Sequence, residues 1–406
     1  MENRRRNSRL SHHAGSALLV VFLASSLGSS VLRAQATAQI SGTVSDASGL
    51  AVPAAQVKAT QTETGAVRTV ISGAAGGYIL SNLPVGPYQL EVTKEGFATY
   101  TQSGITLQVA SNPTVDISLK VGAVSERVQV EASAVQVETQ ATGVGQVIDN
   151  QRVLELPLNA RNSQQLILLA GAAVSGGTQS TNRGYPVNLI SVGGGLNNGL
   201  TYVLDGGTHN EPYINANLPL PFPDALQEFK VDTSSVPAQY GQHSAGAVEA
   251  VTKSGTNEFH GDAFEFLRNG DLDARNTFAA TVDQLKRNQF GGVVGGPIRK
   301  NKLFFFFGDQ YTTTRSVPTT VIDTIPSQQA LAGDWTAMES PACNGGVQKT
   351  LKGPFINNTI SPSLYTVPAL NLMKHFPVVT NPCGQDVFGR VNNSNEQFIV
   401  SRIDYQ

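Results

Sequence analysis

The residues with the chemistry to act as ligands or catalysts are few and scattered. His209, His243 and His260 form no i, i+4 pair and no HExxH frame, so the spacing that presents two imidazoles to zinc is missing. Asp205 closes the run Tyr202-Val203-Leu204-Asp205-Gly206. An aspartate there reads as a metal ligand, a general base or a turn residue accepting backbone N–H groups. The glycines at 193–195, 291–292 and 295–296 lack the following Lys-Ser/Thr that a phosphate cradle requires, and no GxSxG elbow occurs in a strand–turn–helix context. They read as turns and close packing. Two cysteines, Cys343 and Cys383, cannot build a cysteine zinc site or a disulfide framework. The expectation is a protein with no catalytic, metal or cofactor-binding residues, and not an enzyme.

The elements that would position these residues are mainly strands. Residues 38–121 alternate in short runs, among them Gln56–Thr60, Tyr78–Leu80, Tyr88–Val92 and Val115–Leu119. Turn residues at Asp46–Gly49, Gly76–Gly77, Leu83–Pro87 and Lys94–Gly96 separate them, the rhythm of a β-sandwich. Residues 122–255 are mixed. A helix is expected across Asn150–Leu156 and Leu158–Leu169, with Asn162 or Ser163 as a cap, and strands at Tyr202–Gly206, Leu226–Val231 and Gly246–Thr252. Residues 256–406 alternate again at Asp262–Arg268 and Phe398–Tyr405. In the latter Ile399, Ser401, Ile403 and Tyr405 share one face, and Arg402 and Asp404 the other. Apolar-out, polar-in alternation marks a transmembrane β-barrel, although a soluble two-layer sheet shows the same period.

Composition narrows the class further. Charged residues are 14% of the 406, against roughly 25% in an average soluble domain. With 28 Lys+Arg against 30 Asp+Glu there is no basic excess for nucleic acid. The first 36 residues read as a secretory signal peptide: Arg4, Arg5, Arg6 and Arg9, then the apolar run Ala17–Leu27, then Ala34-Gln35-Ala36 as the cleavage site. A membrane anchor is the other reading, but the run is shorter than the roughly 20 residues a spanning helix needs. Cleavage leaves 23 basic and 29 acidic residues, a net charge of −6. If the mature chain meets a membrane, it does so as strands.

Longer strings are more specific than any period. Gly76–Phe97 (GGYILSNLPVGPYQLEVTKEGF) closely resembles the carboxypeptidase-regulatory-like domain, a small sandwich. Leu158–Val174 (LNARNSQQLILLAGAAV), Tyr202–Gly206 (YVLDG), Ala238–Asn276, Arg287–Tyr311 and Asn395–Gln406 resemble Oar-type TonB-dependent outer-membrane receptors, in that family's order. The resemblance implies a signal peptide (1–36), a sandwich (38–121), a plug (122–255) and the first strands of an incomplete transmembrane β-barrel (256–406). It implies a non-enzymatic receptor at the cell outer membrane that takes up a large substrate, carbohydrate or peptide. TonB, with ExbB and ExbD, would supply the energy from the periplasmic side and displace the plug. A family barrel of about 22 strands needs several hundred further residues, so the chain is expected to be an N-terminal part that cannot close a pore. The rival expectation is a secreted sandwich with a carbohydrate-binding or adhesion role.

Three features acquire roles within that resemblance. Val128, Gln129, Val130, Glu131 and Ala132 are the candidate TonB box, a segment that adds a strand to TonB's sheet; an ordinary sandwich or plug strand is the other reading. Phe304–Phe307 would place two rings toward lipid as part of an aromatic girdle, where a soluble protein would use them as a core strand. Cys343 and Cys383, in an exported chain with no competing cysteine, are the candidate disulfide pinning an extracellular loop; two unrelated thiols are the alternative.

Overall fold

The computed structural model describes residues 37–131, 143–180, 186–241, 243–275, 277, 282, 284–316, 321–388 and 392–406. The expected signal peptide lies outside the described residues. The chain divides into two compact units: residues 1–262, 293–308 and 400–406, and residues 263–292 and 309–399.

The first unit begins with the sandwich. Its strands are β1 (Thr37–Asp46), β2 (Gln56–Gln61), β3 (Val67–Ile71), β4 (Gly77–Pro84), β5 (Gly86–Thr93), β6 (Thr99–Leu107), β7 (Ile117–Leu119) and β8 (Arg127–Glu131). One sheet has the order β4-β1-β7 and the facing sheet β3-β2-β5-β6-β8. Alternation does the sorting. In β5, Tyr88, Leu90 and Val92 point inward and their neighbours do not, and they meet Ile40, Val57, Ile105, Leu107 and Ile117 in one core. Each fully buried aliphatic chain contributes about 1.5–3 kcal/mol against exposure. The turn after β1 is set by Asp46, whose carboxylate accepts from the Ser48 hydroxyl and from the Ser48 and Leu50 amides. Those donors, the Ser48 hydroxyl first, hold the Asp46 carboxyl below its ordinary value. The sandwich extends past residue 121, because β8 joins β6 in parallel with Gln102 opposite Val130.

A mixed sheet follows, of order β13-β12-β17-β16-β9. Its strands are β9 (Val144–Asp149), β12 (Thr201–Leu204), β13 (Gly207–Thr208), β16 (Leu226–Ser234) and β17 (Ala247–Thr252). Two small hairpins accompany it, β10 (Ala173–Ser180) with β11 (Pro186–Val192), and β14 (Asn210–Glu211) with β15 (Ala216–Asn217). Ile148, Phe229, Val231, Val248 and Tyr202 from the sheet pack with Val153, Leu166 and Ile167. The single helix expected across 150–169 is corrected here. Helix Asn150–Glu155, capped by Asp149, is followed by two 3-10 segments, Asn159–Arg161 and Ser163–Ala170, the second capped by Asn162. Ala160 and Arg161 have φ near +59° and +52° and break the α-path. The reason is anchoring: the Ser163 hydroxyl donates to the Pro221 carbonyl at 2.7 Å, Gln164 reaches Asn217, and Arg161 reaches Asp224. Tertiary hydrogen bonds override a modest helix preference.

The last sheet is β18 (His260–Asn269), β19 (Lys286–Arg299), β20 (Leu303–Ser316) and β23 (Asn392–Tyr405), in that order. Strands of 14 residues exceed the roughly 9–11 that span a bilayer. On β20 the inward side begins with Phe304 and Phe306 and continues as Gly308, Gln310, Thr312 and Thr314. On the other side Phe307 is 43% exposed, and on β23 Ile403 and Tyr405 are 72% and 77% exposed. Apolar outside and polar inside is the lipid-facing pattern.

In the second unit, β21 (Val321–Thr324) pairs with β22 (Gln385–Phe388). The segment between them is organised around Trp335, which donates to the Tyr365 hydroxyl at 2.8 Å and meets Phe355 edge-on at 6.0 Å.

Candidate functional site

Strand β12 ends in a turn whose residues, Asp205 and Gly206, have φ of +50° and +83°. Glycine supplies that conformation without strain, and aspartate is among the few other residues that tolerate it. The turn sets the Asp205 carboxylate over the end of the neighbouring β17, where Oδ1 accepts the Thr252 backbone N–H at 2.9 Å and Oδ2 the Thr252 hydroxyl at 2.8 Å. Asp205 is therefore structural, but it serves the neighbouring strand β17 and not its own turn. Arg402 from β23 completes the group. Its Nη1 lies 3.3 Å from Asp205 Oδ1 and donates to the Thr252 carbonyl at 3.0 Å. Its Nε donates to both Asp404 oxygens at 2.9 Å, which orients the guanidinium. One planar side chain thus bonds the last strand to β17 and to the turn that follows β12.

A second junction is more deeply buried. Arg161 pairs with Asp224, each side chain 10% exposed. Burial pushes the Asp224 carboxyl up while Arg161 beside it pulls it back. Lys253 follows β17, and burial lowers its ammonium against the opposing pull of Asp262 and Asp224. A cleft of about 320 Å³ opens nearby, lined among others by Glu63, Gly86, Lys253, Glu258, His260 and Arg402. Its charges are mixed in sign. Among the described residues no group of three or more His, Cys, Asp or Glu is placed to hold a metal ion.

The sandwich is tied to the mixed sheet by a third contact. Glu228 Oε2 on β16 accepts the Val109 backbone N–H at 2.7 Å. Sequence reasoning missed Arg402, Arg161 and Glu228 as junction residues. Their partners lie 197, 63 and 119 residues away, beyond any local pattern.

Val128, Gln129, Val130 and Glu131 lie in β8, already laddered to β6, and Ala132 lies outside the described residues. No residue of β8 is fully buried, and only Val130 packs against the sandwich core. Cys343 and Cys383 are joined to each other, with Cα atoms 5.2 Å apart. Of the four phenylalanines, Phe304 and Phe306 are 0% and 1% exposed. Phe305 and Phe307 take the opposite face.

Against known proteins, residues 251–406 match the outer membrane beta barrel domain and residues 39–120 the carboxypeptidase regulatory-like domain. The TonB-dependent transporter Oar of Myxococcus xanthus is 30% identical over 309 residues, 73% of this chain. This chain is similar to the Oar-type TonB-dependent receptors. The Oar-like chain spans 28% of that relative's length. The barrel match and the relative place it at the cell outer membrane. Among solved structures, the siderophore receptor PirA from Acinetobacter baumannii is 22% identical, with 42% of this chain and 24% of that one covered and a TM-score of 0.33. A 3-chlorocatechol 1,2-dioxygenase from Rhodococcus opacus 1CP is 10% identical, with 22% and 61% covered and a TM-score of 0.19.

Proposed function

We propose that this chain serves in a TonB-dependent outer-membrane receptor that takes up a large substrate, a carbohydrate or a peptide, without chemical conversion. In this reading residues 1–36 direct export, 38–121 together with strand β8 form a periplasmic sandwich, the rest of 122–255 the plug and 256–406 the first barrel strands. The observation that carries it is the bonding of Arg402 on a lipid-type strand to Asp205 and Thr252 of the mixed sheet. That is the relation a plug needs to a barrel wall. These bonds are directional and polar, so they can be exchanged for others.

TonB, energised with ExbB and ExbD, would engage the segment Val128–Ala132 by strand addition. Strand β9 follows that segment and, among the described residues, is the edge strand of the plug sheet, paired with β16. A pull transmitted along the chain reaches this edge first. A secreted sandwich with an adhesion role gives no account of the outward apolar faces of β19, β20 and β23.

Fractionation together with a binding measurement tests the proposal. The expected result is a detergent-extracted outer-membrane protein that binds the purified TonB C-terminal domain. Recovery as a soluble periplasmic protein, or no TonB binding, would overturn it.

A further inference from the structure

The plug sheet has two unlike faces. Phe229 and Val231 of β16 point into its core, whereas Glu228 and Lys230 stand on the opposite side. Glu228 is only 6% exposed, although an ionised carboxylate is costly to bury. The sandwich meets it at the turn Gln108–Ser111, whose Val109, itself 1% exposed, aims its N–H at Oε2.

The charges around Glu228 do little to offset that burial. Asp149 on β9 is its direct cross-strand partner and has the same sign. Lys230, two positions along β16, is paired with Asp232 at 3.4 Å. On β17 the partner of Glu228 is Val251, which is uncharged, and the sandwich turn has no ionisable side chain. Arg152 on the adjacent helix directs its guanidinium to the Val147 carbonyl.

We propose that Glu228 is a proton-operated clasp: the sandwich seats on the plug when this carboxyl is protonated and loosens when it is ionised. The inference rests on the Glu228–Val109 contact and does not depend on the receptor reading. Burial pushes the seated carboxyl up from 4.5 to about 7, with Asp149 adding to the rise and the Val109 N–H opposing it. A carboxyl raised in the seated state takes up a proton on seating. Seating is therefore strongest below the ordinary value and weakens as pH rises toward about 7.

The test places nitroxide labels on exposed positions of the full chain in detergent, one on the sandwich (Thr69→Cys) and one on the plug (Glu155→Cys). The native cysteines are joined and take no label. Electron paramagnetic resonance distances are compared at pH about 5.5 and about 8.5, either side of the seated value. The expected result is one narrow distance at the lower pH and a second, broader population at the higher pH. Glu228→Gln keeps the acceptor and removes the titration, so it should remain narrow at both. Asp149→Asn removes the like charge, still caps the helix, and should move the midpoint to lower pH. An unchanged wild-type distribution, or the same broadening in Glu228→Gln, would overturn the clasp.

Discussion

Arg402 and Asp205 stand 197 residues apart in sequence and 3.3 Å apart in space, with Thr252 bonded to both. The arginine comes from a strand with an apolar outer face, the aspartate from a left-handed turn, and neither partner suffices without the other's placement. The Arg402 side chain is 21% exposed and Asp205 33%, so solvent screens the pair without dissolving it.

Replacing Arg402 with Met should cost about 1–2 kcal/mol, the worth of charge-assisted bonds discounted for exposure. Asp205→Asn should cost less, because an amide still accepts from Thr252. A double-mutant cycle read by thermal melting in detergent should give coupling that shrinks with added salt. Additive losses would show that the two side chains do not act on each other.

Arg161 and Asp224 should behave differently, being far more buried. Arg161→Ala strands a carboxylate in a low-dielectric site and should destabilise the plug by about 3 kcal/mol or more. Replacing both, Arg161→Met with Asp224→Leu, should recover most of that loss. Denaturant unfolding of the three variants decides it, and a double variant as unstable as the single one would count against the stranded-charge account.

The alternation at 398–405 made Arg402's inward direction legible from sequence, because Ile399, Ile403 and Tyr405 could not share its face. The same period sorted Phe304 and Phe306 from Phe305 and Phe307. What period cannot supply is the partner. Arg402 meets Asp205, and Glu228 meets Val109, only because separate strands converge. The run 158–169 misled for a related reason: it has helix-like composition, but Arg161, Ser163 and Gln164 are claimed by neighbouring segments. Strand β8 was ambiguous because parallel main-chain pairing leaves little trace in side chains, and none of its five residues is fully buried.

Tyr78 offers a test confined to the sandwich. Its hydroxyl donates to the Val115 carbonyl at 2.7 Å, in a site buried enough to push the phenol's pKa well up. Tyr78→Phe keeps the ring and removes the donor, at a cost of about 1 kcal/mol. The change should appear as a few degrees in the sandwich transition while the plug transition stays put. A shift in both would mean that the two melt as one unit.

The Cys343–Cys383 bond closes a separation of 40 residues, worth about 4 kcal/mol on a chain-entropy estimate. Cys343→Ser with Cys383→Ser should make residues 325–384 rapidly cleaved in limited proteolysis, leaving the sandwich and plug fragments as resistant as before. Equal resistance of the loop would show that the Trp335–Tyr365–Phe355 contacts hold it unaided.

Val128–Glu131 supplies the sharpest check on TonB docking. Successive amides of a strand point to opposite edges, so Gln129→Pro and Val130→Pro each delete a donor from a different side. One of the two should weaken the β6 ladder and lower the sandwich melting temperature. The other should leave that temperature alone and reduce affinity for the TonB C-terminal domain by about tenfold, the worth of one hydrogen bond at an added strand. If both variants bind TonB as the parent chain does, strand addition at this segment is wrong, and β8 serves only as the last strand of the sandwich.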